Sequence, residues 1–202
     1  MKYHLTATLV LAISTPGAAQ IPENDDYFDL SIESLEIDVG SDERTAEGYG
    51  IAFTKEYGDR FLFLAGFKRY LFDEHDMFRM RQDLYNIGIG LQTPLTERSD
   101  VYGKLLYSGA RSELETGTEY DEGVEALLGY RFSPFRRFEI DTSLRYISFE
   151  DPISFTGPEL SVTGQARWYL SDLVSFGVGA NYGEYETSWF GSVRVAFDLE
   201  DK

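Results

Sequence analysis

Ten stretches of this chain alternate apolar and polar side chains with a period of two, and most run for 11–14 residues. Residues 138–146, FEIDTSLRY, show the pattern: Phe138, Ile140, Thr142, Leu144 and Tyr146 share one parity, while Glu139, Asp141, Ser143 and Arg145 share the other. Successive side chains of a strand point to opposite faces, so each stretch is a ribbon with one greasy and one polar side. Soluble strands usually have about five or six residues. A tilted strand crossing a bilayer needs about nine to eleven. The segments fall at 28–39, 46–57, 60–72, 80–93, 100–112, 122–132, 136–149, 158–170, 173–184 and 188–199. Their number and length predict an all-β, up-and-down antiparallel transmembrane barrel of ten strands, with eight strands as the alternative.

The rest of the chain is consistent with export to a membrane. Residues 1–19 read as a cleaved signal peptide: Lys2 begins it, Leu5 to Ile13 form a short apolar stretch, and Gly17-Ala18-Ala19 supplies the small residues of a cleavage site. Residues 20–27 are a short polar lead, and 28–199 the barrel. There is no cysteine, so neither a disulfide framework nor a lipidated N-terminal cysteine is available. No run of about 18 apolar residues occurs, which excludes a helical span. With 18 Lys and Arg against 35 Asp and Glu, the net charge is −17. That balance argues against nucleic acid as a partner, since phosphate backbones are bound by basic stripes.

In a membrane barrel the greasy parity faces lipid and the polar parity faces the lumen. The polar parity carries Lys104, Glu125, Arg131, Glu139, Asp141, Arg145, Glu159, Arg167 and Arg194, the candidate lumen charge network. Charges enclosed in a narrow barrel must be paired or hydrated. Paired, they fill the interior; hydrated, they line a small channel. Inward glycines such as Gly88, Gly90, Gly177 and Gly179 leave room for the long side chains. On the other parity, Tyr57, Phe132, Phe138, Tyr146, Trp168, Tyr182, Trp189 and Phe197 sit at strand ends. Aromatic rings are enriched at both interfaces of a bilayer, so these eight are the candidate girdle. Two segments resist the pattern. Both parities of 61–67 are apolar, and the first segment slips phase near Ser34-Leu35, which predicts a bulge.

The runs YGIAF, EYGDRFLFLAGF, IGIGLQTPLTERSDVYGKLLYS, LGYRFSPFRRFEIDTSLRYISF and ARWYLSDLVSFGVGANYGEYETSWFGSVRVAF resemble the small bacterial outer-membrane proteins of the OmpA-like transmembrane β-barrel superfamily. The resemblance covers most of the mature chain and carries no catalytic signature. It implies a Gram-negative outer-membrane location, contact with membrane lipid and lipopolysaccharide, recognition by the outer-membrane assembly machinery, and a monomer. Such barrels usually end on an aromatic residue. Here Phe197 is followed by Asp198-Leu199-Glu200-Asp201-Lys202.

Connections between segments alternate in length: 57–59, 93–99, 133–135 and 171–172 are short, whereas 40–48, 72–81, 111–122 and 149–158 are longer and acidic. Tight periplasmic turns and longer external loops give this alternation. The longer loops hold Asp42-Glu43, Asp73-Glu74-His75-Asp76, Glu119-Tyr120-Asp121-Glu122 and Glu150-Asp151. Carboxylates of this kind bridge divalent cations or simply solvate the surface. His75 is the one histidine of the mature chain and sits in such a loop without a recognisable catalytic partner. No Gly-x-Ser-x-Gly, His-Glu-x-x-His or phosphate-loop motif is present. The expectation is a non-enzymatic barrel without cofactor or metal, structural or surface-interacting, with a lumen largely filled by polar side chains. A narrow porin-like channel for small solutes, a barrel enzyme acting on lipid or peptide through His75, and a soluble lipocalin-like binder are the alternatives.

Overall fold

A computed structural model describes residues 26–39, 42–58, 60–72, 81–114, 117–150, 159–184 and 186–197. The expected signal peptide, His75 and the residues after Phe197 lie outside the described residues. The strands are β1 (Tyr27–Val39), β2 (Asp42–Tyr57), β3 (Phe61–Phe72), β4 (Arg81–Thr96), β5 (Ser99–Leu114), β6 (Gly117–Phe135), β7 (Phe138–Phe149), β8 (Glu159–Tyr169), β9 (Val174–Gly183) and β10 (Glu186–Ala196).

Each strand pairs antiparallel with its neighbours in sequence, and β1 pairs with β10, so the sheet closes into a ten-stranded barrel. Eight strands are therefore excluded. At the seam the register runs from Tyr27↔Ala196 to Ile37↔Glu186. The Phe197 N–H donates to the Asp26 carbonyl at 2.9 Å, extending the closure past the last strand. Both described termini and the tight turns 97–98 and 136–137 lie at one end of the barrel, as does Gly58 at the end of β2. Gly58 takes a φ of 62°, which glycine adopts without strain.

The side chains divide by parity around the whole ring. Ile32, Ile89, Leu105, Leu128, Val178 and Trp189 exemplify the outward set, and all are well exposed. A soluble sheet does not display so continuous an apolar band. With lipid as the solvent it is the stabilising face. At the end holding the termini, Phe28, Phe53, Phe63 and Phe197 form an aromatic cluster across β3, β2, β1 and the chain end. Ring centroids there lie 4.9–6.3 Å apart.

Two sequence expectations are corrected. The β1–β2 and β1–β10 registers are continuous, so there is no bulge at Ser34-Leu35. The polarity alternation reverses there because Leu35 and Ile37 face inward, into an apolar cluster with Ala46, Tyr70 and Phe72. The register shifts fall instead between Pro94 and Thr96 and between Phe132 and Phe135. Proline cannot donate to a ladder, so a bulge is where it fits. Finally, most of 40–48 and 111–122 is strand: pairing reaches Val39↔Asp42 and Leu114↔Gly117. Toward the loop end the outward face turns polar too, as at Glu47, Arg111 and Glu122, while Ala46, Ser112 and Asp121 stay buried inside, so the alternation that marks a strand disappears there while its hydrogen bonds continue. The third segment, ambiguous by counting, places Leu62, Leu64, Gly66, Lys68 and Tyr70 inward by its register with Thr54, Gly50 and Gly48.

Three inward glycines make room for rings, while Gly90 and Gly177 lie against Lys104 and against Gln165, Ser192 and Arg167. Tyr102 lies across from Gly129, Tyr70 from Gly48 and Phe190 from Gly179, and in each pair a Cβ on the glycine would run into the ring. Inserting atoms into a filled interior costs about 1–3 kcal/mol. Gly129→Val is expected to lower the unfolding free energy of the lipid-embedded barrel by roughly that amount in a urea titration. The same change at Gly58, where no atom lies within contact distance of a Cβ, acts only through backbone strain and should leave the Tyr102 environment unaltered in the near-ultraviolet spectrum.

Candidate functional site

The barrel interior gathers most of the charge that the strands carry. Near the end with the termini, β6, β8 and β10 place Arg131, Arg167 and Arg194 toward the axis, where β1, β5 and β7 place Asp29, Asp100, Glu139 and Asp141. The Arg167 Nη2 lies 2.8 Å from Asp29 Oδ2, and its Nε 3.9 Å from Glu139 Oε1. Arg194 Nε donates to the same Asp29 oxygen at 3.1 Å. Arg131 approaches Asp100, Asp141 and Glu139 at 3.8, 3.8 and 4.0 Å.

Phenols complete this layer. The Tyr102 hydroxyl donates to Asp141 at 2.5 Å and that of Tyr169 to Glu139 at 2.8 Å. The Arg194 guanidinium sits 3.6 Å from the Tyr27 ring centroid. Lys104, just above, places its ammonium 4.7 Å from the Tyr102 ring. Arg167 and Glu139 are each only 1% exposed. Enclosed charges of both signs at such distances form a network, because each one left alone would be very costly.

A second layer lies nearer the loop end. Glu33 accepts from Lys68 Nζ at 2.9 Å, from the Tyr70 hydroxyl at 2.8 Å and from Ser188 at 2.9 Å. Arg145 Nη2 donates to Glu186 at 2.7 Å, its Nε donates to Ser161 at 3.1 Å, and Glu159 lies 3.8 Å away. Asn181 also donates to Glu186 at 2.7 Å. Glu125 accepts from Ser108 at 3.3 Å.

From the first layer to the second runs a cavity of about 390 Å³. Leu64, Leu106 and Leu127 form an apolar wall, and Ser143, Thr163, Gln165 and Ser192 a polar one. The interior is thus amphipathic rather than uniformly polar.

All nine sequence-singled charges face inward. Arg131, Glu139, Asp141, Arg167 and Arg194 share the first layer, with Lys104 beside it; Arg145, Glu159 and Glu125 belong to the second. Tyr57, Phe132, Phe138, Tyr146, Trp168, Tyr182 and Trp189 lie on the outward parity, and Phe197 stacks on outward Phe53 at an interplanar angle of 12°. Phe138 and Trp168 pair across β7 and β8 with centroids 6.0 Å apart.

Sequence reasoning missed several residues that complete the layers: Asp29, Glu33, Lys68, Asp100, Glu186, Tyr27, Tyr70, Tyr102 and Tyr169. Simple parity finds Asp29 and Glu33 once β1 is read without a slip. Lys68 follows from the phase of β3. The inward tyrosines carry no such signal, because the same residue type serves the outer wall.

No family model matches the sequence, and no curated protein is similar to it in sequence. Solved structures are similar in fold. The NanC porin has a TM-score of 0.53 at 8% identity, over 83% of this chain and 100% of that one. The KdgM porin in complex with disordered oligogalacturonate gives 0.51 at 10%, over 85% and 99%. The translocator domain of the autotransporter NalP from Neisseria meningitidis gives 0.51 at 10%, over 85% and 87%. At these identities the shared property is the fold. The chain is a small β-barrel of the outer-membrane type.

Removing one partner of an enclosed ion pair destabilises by about 3–5 kcal/mol, whereas replacing both with apolar residues of similar size is often close to neutral. Arg167→Met should therefore lower the unfolding free energy by several kcal/mol, and the double change Arg167→Met with Glu139→Leu should recover much of it. Urea titration of the folded barrel in detergent measures both. A loss in the double variant equal to the sum of the losses of Arg167→Met and Glu139→Leu made singly would mean that the pair is not coupled.

Proposed function

We propose that this protein is an integral outer-membrane barrel with a structural or surface-interaction role, its lumen closed to solutes by its own side chains. The layer of Arg131, Arg167 and Arg194 against Asp29, Asp100, Glu139 and Asp141 carries this reading. It joins residues from β1, β5, β6, β7, β8 and β10 across the bore. Opening a path means breaking several charge-assisted bonds together, each among the stronger polar contacts available. The outward apolar band supports placement in lipid, and export by residues 1–19 with an outer-membrane destination belongs to the same reading. Nothing in the two layers calls for a catalytic role.

A narrow passive channel is the second reading. It is favoured by the 390 Å³ cavity with its serine and threonine wall, and two of the structurally similar proteins are porins by name. Conductance separates the two. Wild-type protein in planar bilayers is expected to give no discrete steps. A variant with Arg131, Arg167 and Arg194 all changed to Ala is expected to give steps, provided that it still folds. Regular steps from the wild type would establish the channel instead.

A further inference from the structure

The outer wall of β3, β4 and β5 changes character abruptly toward the loop end. Climbing β3, the outward residues are Phe61, Phe63, Ala65 and Phe67, and then Arg69. On β4 they are Leu91, Ile89, Ile87 and Tyr85, and then Asp83 and Arg81. On β5, Leu105 and Tyr107 lead past Gly109 to Arg111 and Glu113. The register sets Arg69 and Arg111 directly on either side of Asp83, and Arg81 opposite Glu113. One row below, Tyr85 sits between Phe67 and Gly109. The arginines therefore begin where the apolar band ends, at the height of lipid headgroups.

Three guanidiniums share this patch with two carboxylates. Arg69 chelates Asp83 at 2.6 and 3.1 Å, and Arg81 does so at 3.2 and 2.7 Å. Arg69 also donates to the Tyr49 hydroxyl at 3.3 Å. Arg111 reaches Glu113 at 2.6 Å, and its shielded Nε has no hydrogen-bond partner among the described residues. Both carboxylate oxygens of Asp83 are engaged, so it acts as a brace that fixes two planar donors side by side. All three arginines keep 26–39% of their side-chain surface open. Asp83 takes Nε and Nη2 of both Arg69 and Arg81, so a phosphoryl group would meet the remaining Nη N–H bonds of these partly open guanidiniums, which hold their charge at fixed positions. Among the described residues these are the outward-facing arginines of the loop-end strand segments, whereas the neighbouring outward positions hold Glu36, Glu47 and Glu122. In a chain of net charge −17, these three guanidiniums are where, among the described outward residues of this rim, an anion meets positive charge.

We propose that Arg69, Arg81 and Arg111, braced by Asp83, bind the phosphoryl headgroup of an outer-leaflet glycolipid on the outside of the barrel. The inference rests on the barrel being membrane-embedded. The lipid's acyl chains would lie along Phe67, Ile87 and Leu105 while its phosphate meets the guanidiniums.

The test inserts the purified full chain into phosphocholine nanodiscs, doped in separate arms with bisphosphorylated lipid A or its dephosphorylated form. Lipid retained after mild detergent release is counted by native mass spectrometry. Failure to insert overturns the membrane reading itself, and this proposal with it. Given insertion, wild type is expected to retain the phosphorylated lipid about tenfold better than the dephosphorylated one, the factor set by about 1.4 kcal/mol. Arg69→Gln/Arg81→Gln/Arg111→Gln is expected to lose that preference. Equal retention of both lipids by wild type overturns the proposal, as does an unchanged preference in the triple variant. Full displacement by millimolar inorganic phosphate would show a free-anion site and also overturn it. If the triple variant does not fold, the comparison of the two lipids on wild type decides.

Discussion

Everything in this molecule depends on the closure of the backbone ladder between β1 and β10. In hydrocarbon no water satisfies an unpaired N–H or C=O, and each such group costs several kcal/mol. A ten-stranded sheet with open edges would leave two rows of them. Pairing from Tyr27↔Ala196 to Ile37↔Glu186 removes both edges at once. It also fixes the parity of every strand relative to the bore, because a slip of one residue anywhere would turn charges toward lipid and leucines inward.

Closure creates the second problem, an interior that must be filled. The chain meets it with two ionic layers, an apolar patch and glycine-backed rings rather than with one material throughout. Phenols mediate between them: Tyr102 packs over Gly129 and donates to Asp141, so one side chain fills space and satisfies a carboxylate. Tyr70 does the same with Gly48 and Glu33. Such a network gives a bore of one defined shape, because each carboxylate has its partners at set distances. The strongly acidic composition is spread unevenly. The layers take up the cations Arg131, Arg145, Arg167, Arg194 and Lys68, and much of the remaining positive charge on the loop-end outer wall is gathered in the patch of β3, β4 and β5.

Strand number, all-antiparallel order and the inward parity of β4 to β10 were legible in the sequence, since period-two alternation is strongest where one face meets lipid and the other a polar bore. Legibility failed where that contrast vanished. Leu35 and Ile37 are apolar on the inside, so the polarity of β1 reads as a slip of phase. Above the bilayer, Arg44, Thr45 and Glu119 lie in strands although nothing in their polarity says so. Asp83 and Arg111 fall near the ends of segments 80–93 and 100–112 in sequence and become cross-strand neighbours only through the register of β4 with β5. The partners within the lumen were illegible for the same reason. Asp29 and Arg167 are joined only because the ends of the sheet meet.

Membrane embedding of a closed barrel is most directly tested by gel migration of protein extracted from the outer-membrane fraction with detergent. A hydrogen-bonded barrel without edges resists unfolding in cold dodecyl sulfate, so the unheated sample should run as a compact, faster band that shifts on boiling to the position of the fully unfolded mature chain. A single band at one position with and without heating, from protein that leaves the cell without detergent, would contradict the account.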